Sequence, residues 1–482
     1  MNEEDNSQND QTEPDESTYI LRNKRLQTEN QILIGPDGDW GWYVVSGSAL
    51  INFLIPGMLI TYGSDVLEEF VKKNELDYDD DKKYYSLNDV RWIPSAFQLT
   101  FYLTSTLACL LCEFWSHRAI TLWGGFLAST GMLLSFFANS IPYLYFSYGM
   151  MVGFGAGLSY PTGILAINKY FNKKRALAVG IATAGTNIGM IVMPTYIKFL
   201  ANSYGCRGAV LITSGLMLNV IACALIYHPV EEYAHIVDFR VPLINVTEFP
   251  IRLQKSQYND QTSCTFFGLL KLSFLKNRLK NHFIRKQKFT LKNVYGKMSF
   301  ITITIINTVY CICNSIFLNM VLPAFSKSIG YHTNTSFLLI SFSKIIGRIL
   351  VPCTFIFFPF NTIVYLASAL SASGLILITI PIWHQSVVYI LVCFIIFGIA
   401  SGSIFAMQTP VIVDILGAEW ITITYSTTLF SEGIAQLAFN LFHNQYYLHF
   451  NLLSELYYSL GVSLMFLSSF LGILILIKTL KN

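Results

Sequence analysis

The stretch VVYILVCFIIFGIASGSIFAMQTPVIVDIL, residues 387–416, carries a single charged side chain, Asp414. About twenty apolar residues suffice to cross the roughly 30 Å hydrocarbon core of a bilayer as a helix. In lipid the backbone must satisfy its own hydrogen bonds, so such a run reads as a membrane-spanning α-helix. Similar runs recur along almost the whole chain, at about 42–64, 93–113, 119–138, 142–166, 175–200, 207–228, 298–322, 335–358, 361–382, 421–443 and 455–478. The expectation is an all-α integral membrane protein with twelve transmembrane helices. Composition agrees: of 482 residues, 53% are hydrophobic and 13% charged, against about 25% charged in a soluble domain.

The runs divide the chain. Residues 1–39 read as a disordered cytoplasmic tail, polar and acidic and without the apolar core of a signal peptide. A six-helix half over 40–228 is followed by a basic loop over 229–297, a second six-helix half over 298–478 and a short tail, 479–482. The loop holds twelve Lys and Arg against five acids, clustered in Lys271–Lys297. The connection between spans four and five is also basic, with Lys169, Lys173, Lys174 and Arg175. The positive-inside rule places these connections and both termini in the cytoplasm. The five basic residues between spans one and two are the exception, and seven or more acids offset them. Six spans, a long loop and six more is a two-halves plan, of the kind that encloses a midplane cavity in the major facilitator superfamily. The basic loop is a solvated positive-inside segment or a site for anionic lipid headgroups. On this topology the sequon at Asn334 lies in an outward loop close to the membrane, and the one at Asn245 is silent.

Two segments go beyond topology. Asp37-Gly38-Asp39-Trp40-Gly41-Trp42 stands at the entrance of span one, and Tyr170-Phe171-Asn172-Lys173-Lys174-Arg175 opens span five, followed by the small-residue run Ala176–Gly185. Both resemble signatures of the monocarboxylate transporter family, and shorter echoes include Gly153-x-Gly155-x-Gly157, Gly347-Arg348 and Pro410 with Asp414. Read physically, Trp40 and Trp42 are headgroup anchors, and Asp37 and Asp39 suit a helix N-terminus. Lys173 and Arg175 mark a boundary, while Gly180 and Gly185 belong to a face that lets helices approach. These residues identify the family and govern packing or gating. Asp414, at the far end of span ten, reads as a gate or helix junction.

Ionisable residues within spans are costly and so draw attention as functional candidates. Lys344, Arg348 and Glu432 fall near mid-depth. At 1.5 Å per residue, Lys344 lies about 14 Å and Arg348 about 20 Å below the outer boundary. Lys344 and Arg348 share a helix face. The reading pairs Glu432 with Lys344 and leaves Arg348 to grip a carboxylate with its planar fork. The alternative is that all three form a buried structural network. Asn52, Asn187, Asn314, Ser401 and Gln436 are further polar positions that line a cavity or bond across helices.

The resemblance implies a carrier of small carboxylates, with departures. Proton-linked lactate carriers of this family have a Lys where Ile60 stands, and an Asp where Lys344 stands. Some divergent relatives place an acid near Ser401. Cys206, the turn Cys112–Arg118 and Ala438-Phe439-Asn440 also depart from the family pattern. The chain thus resembles members that carry aromatic amino acids, thyroid hormones, creatine or carnitine. Two cations against one acid bias the cavity toward an organic anion. The expected activity is uniport or proton symport of a small carboxylate at the plasma membrane, with a zwitterion or a non-transporting sensor as alternatives. No cofactor is expected beyond a coupled proton. Expected partners are the lipid bilayer and, as the resemblance implies for some relatives, a single-span immunoglobulin-like chaperone. Of nine cysteines, Cys109, Cys112, Cys223, Cys311, Cys313, Cys353 and Cys393 lie in apolar runs, where Cys acts as a small hydrophobe. Cys109-x-x-Cys112 has no second pair to complete a metal site. Nothing points to an enzyme or to nucleic-acid binding.

Overall fold

A computed structural model describes residues 31–34, 36–62, 87–229, 235–238, 298–322, 333–358, 361–383, 386–443 and 450–481. The helices are α1 (Trp40–Tyr62), α2 (Leu87–Leu111), α3 (His117–Phe136) and α4 (Ile141–Tyr170), the last containing a π-helical segment, Tyr145–Val152. A long rod beginning at Arg175 breaks at Gly205, which adopts φ 76° and ψ 166°, a conformation open to glycine at little cost. The break separates α5 (175–204) from α6 (206–226). The second half has α7 (Met298–Ile316, with a π-helical extension to Val321), α8 (Thr333–Phe357), α9 (Thr362–Ile382), α10 (Val387–Leu416), α11 (Ile421–His443) and α12 (Phe450–Lys481). This is the twelve-helix, two-half arrangement expected from the apolar runs. Short connections are set by caps: the side chains of Ser116, Asn361 and Ser386 accept backbone N–H groups at the starts of α3, α9 and α10.

The small residues of α5 sit where backbones meet. A Cβ on Gly185 would strike the Ala49 carbonyl of α1, one on Gly189 the Phe53 carbonyl, and one on Gly180 the Arg348 carbonyl of α8. The first two contacts lie within one half; the third joins the halves. Gly347 and Gly402 bring α8 and α10 together in the same way. With no hydrophobic effect between spans in lipid, this close approach is what holds them.

Each half has its own apolar core. The first half's core extends into Ile303, Ile412, Ile421, Tyr425 and Leu429 of the second. All five lie in the part of their helix nearest the face that carries the Lys173–Arg175 turn, here termed the basic face. Ser426 Oγ of α11 donates to the Thr106 carbonyl of α2 on the same side, at 3.3 Å. The halves are therefore closed together at the basic face.

Three expectations need correction. The end of the N-terminal tail is ordered: Gln31–Ile34 (β1) pairs antiparallel with His235–Asp238 (β2), just after α6. The rest of the basic loop, the sequon at Asn245 and the connection between α1 and α2 lie outside the described residues. Trp40 and Trp42, both half-buried, are also pinned to neighbouring helices instead of meeting headgroups alone. Trp40 Nε1 donates to the Ile226 carbonyl at 2.9 Å, and Trp42 packs edge-on against Phe171 at 5.0 Å. Helix α12 also runs to Lys481, through most of the expected 479–482 tail.

Candidate functional site

Helix α8 holds two buried cations, of which Arg348 lies on the seam between the halves. Arg348, 5% exposed, donates through its guanidinium to the Thr183 carbonyl of α5 and stands 5.1 Å from the centre of the Phe405 ring of α10. The phenols of Tyr160 (α4), Tyr310 (α7) and Tyr425 (α11) lie within its electrostatic reach. Its Nε–H has no partner among the described residues. A cation over an aromatic face is held by the ring quadrupole. A guanidinium with an unused N–H in this setting is ready for an anionic acceptor.

One turn earlier, Lys344 is 4% exposed and donates to Asn314 Oδ1 of α7 at 3.1 Å. Depth along the spans alone predicts a pair with Glu432. The structure gives Glu432 other partners: Tyr102 of α2 donates to its carboxylate at 3.3 Å, and the Cys311 thiol of α7 bonds it as well. Glu432 and Cys311 line a small pocket with Ser315 and Gln436. Two residues can share a depth and still face different neighbours, because depth says nothing of rotation about the helix axis. The Glu432–Tyr102 bond crosses between the halves, so this acid fastens the seam instead of neutralising a cation.

The other polar positions divide. Asn52 donates to the Ser48 carbonyl at 2.8 Å and accepts from Thr186 at 3.2 Å, tying α1 to α5. Asn187 is buried, and its Nδ2 has no partner among the described residues. Ser401 bonds back to Gly398, while its carbonyl accepts from Tyr310 at 2.9 Å. The α10 side chain against Arg348 is thus Phe405, one turn beyond Ser401. Sequence reasoning missed Thr183, Phe405 and the tyrosines, because a carbonyl has no sequence signal and aromatics are common in spans.

The signature residues form a second cluster, at the basic face. Asp37 and Asp39 take left-handed backbone, φ 51° and 46°, which short polar side chains tolerate. That turn aims Asp37 Oδ1 at the N–H groups of Asn172, Lys173 and Lys174, at 2.6, 2.9 and 3.3 Å. Arg175, buried behind them, donates to the Phe171 carbonyl and Asn172 Oδ1. It stands within electrostatic reach of Asp37 and, across the seam, of Asp414. Asp414 is itself fixed by Thr362 at 2.7 Å. Replacing Asp37 by Ala leaves three N–H groups at the start of α5 without their acceptor. The expected loss is about 1.5–3 kcal/mol, as for a hydrogen bond to a charged group, seen as a lower melting temperature of the purified protein.

Residues 41–440 match the Major Facilitator Superfamily model. The chain belongs to the major facilitator superfamily. Among superfamily relatives it is 33% identical to monocarboxylate transporter 12-B of Danio rerio over 198 residues, 41% of this chain and 39% of that protein. It is 32% identical to monocarboxylate transporter 9 of Mus musculus over 196 residues, 41% of this chain and 37% of that one. The chain thus spans about two fifths of the length of these curated relatives, which bear out the family resemblance of the two signatures. The solved structure of the human organic anion transporter MFSD10 (TETRAN) superposes with a TM-score of 0.62, covering 89% of this chain and 97% of that one at 13% identity. That likeness is one of superfamily fold.

Proposed function

We propose that this superfamily member carries a small carboxylate-bearing solute across the plasma membrane by alternating access, with Arg348 as the carboxylate anchor. The observation behind this reading is Arg348 itself: buried on the seam, reached from both halves, and with an unused N–H. A substrate carboxylate can take that N–H and compete with the Thr183 carbonyl, so that binding loosens a contact between the halves. The monocarboxylate names of the similar proteins support the same solute class. The positive-inside rule favours a cytoplasmic basic face and cytoplasmic termini, so on this reading the described state is closed toward the cytoplasm. Glu432 is the mid-depth carboxyl available to a coupled proton.

Uptake of labelled lactate, pyruvate, aromatic amino acids, creatine and carnitine in oocytes, at two external pH values, tests the reading. Saturable uptake of a carboxylate is the expected result, and a rise at acid pH assigns proton coupling. Preference for a zwitterion would give Glu432 the role of receiving its cationic end. Surface protein without uptake of any carboxylate would favour a sensor on the same fold.

A further inference from the structure

Two buried cations one turn apart are expensive unless something supplies negative charge, because isolated charges lose most of their hydration on burial. Lys344 and Arg348 are nine-tenths or more buried and repel one another. The partners they do have carry no charge: the Asn314 amide for Lys344; the Thr183 carbonyl, the Phe405 ring and nearby phenols for Arg348. Among the described residues the mid-depth acid Glu432 is engaged by Tyr102 and Cys311 and is not in ion-pair contact with either cation. Donor capacity remains on both: the Nε–H of Arg348 is unpartnered among the described residues, and an ammonium has three N–H groups, of which Asn314 takes one.

We infer that the site is built for a solute with two anionic groups, a short dicarboxylate, one carboxylate on Arg348 and the other on Lys344. The inference rests on the carboxylate-carrier reading above and narrows it. Residues at i and i+4 stand about 5–6 Å apart at their Cβ atoms, a separation that two carboxylates joined by a short carbon chain can span. A monocarboxylate compensates only one of the two charges. The dianion therefore has the larger electrostatic reason to enter, and its second carboxylate rewards occupancy of both donors at once.

The test is uptake of labelled succinate and labelled butyrate by oocytes expressing the full chain, each competed by the other unlabelled. Four-carbon dianion and monoanion then differ in the second charge. The expected result is that succinate is taken up and competes at least about ten-fold better than butyrate, a difference of ~1.4 kcal/mol. Lys344→Gln should lower the succinate-to-butyrate uptake ratio by a similar factor, while Lys344→Arg, which keeps the charge, should largely retain it. A general structural role for Lys344 would depress both solutes together and leave the ratio unmoved. As a readout independent of transport, succinate should raise the melting temperature of the purified protein more than butyrate does. Butyrate uptake that succinate neither shares nor inhibits, or a ratio insensitive to Lys344→Gln, overturns the inference while leaving the Arg348 reading standing. No uptake of either, with the protein at the surface and no melting shift, overturns the inference, and the Arg348 reading falls with it only when the wider carboxylate panel fails as well.

Discussion

Arg348→Ala is expected to reach the membrane and lose carboxylate uptake by about ten- to a hundred-fold. The magnitude follows from a hydrogen bond to a charged group, worth about 1.5–3 kcal/mol. Its cause is specific: the variant keeps Lys344, Asn314 and the Glu432–Tyr102 bond, which do not contact the guanidinium. Arg348→Lys separates charge from geometry. A lysine supplies the positive charge without a planar fork, so it should recover part of the uptake and none of the bidentate grip. Quantification of surface protein alongside uptake distinguishes this outcome from misfolding. Full uptake by a surface-expressed Arg348→Ala chain would leave the residue a structural role only.

The second large effect lies at Gly180. Its missing side chain lets α5 rest on the Arg348 carbonyl of α8, a backbone group with little room to yield. Gly180→Leu should force the helices apart, at a cost of about 1–3 kcal/mol for overpacking. It should break the Arg348–Thr183 contact and open the basic face. Transport should fall by about ten-fold or more, and Gly180→Ala should lie between the variant and the native chain. Spin labels at the exposed positions Lys174 and Ala418, on opposite sides of the seam at the basic face, should read a longer mean distance in Gly180→Leu. An unchanged distance with normal transport would show that this contact does not govern closure.

How much of this was legible in the sequence depended on the kind of physical signal. Membrane spans announce themselves by length and apolarity, so the helix ends fell within about six residues of the expected runs, including the division near Gly205. The small-residue face of α5 was legible as a packing surface because helix–helix approach in lipid requires it. Which glycine faced which helix was not, since that depends on rotation and crossing angle. The same limitation misdirected the Lys344–Glu432 pair. Arg348 stood out because an intramembrane guanidinium is rare, whereas its partners, a main-chain carbonyl and common aromatic rings, carry no sequence mark. The β1–β2 pairing joins four-residue strands some two hundred positions apart, too short and too distant for a periodic pattern to reveal. The role of Asp37 was half visible: an acid beside a helix start was expected, but it caps α5 in addition to preceding α1.

The most direct test of the account is equilibrium binding of the solute identified by uptake to purified native protein and to Arg348→Ala, at fixed pH and salt. Saturable binding to the native chain is expected, weakened by about ten-fold or more in the variant, while both proteins still unfold cooperatively without ligand. Equal affinity for native and variant protein would contradict it.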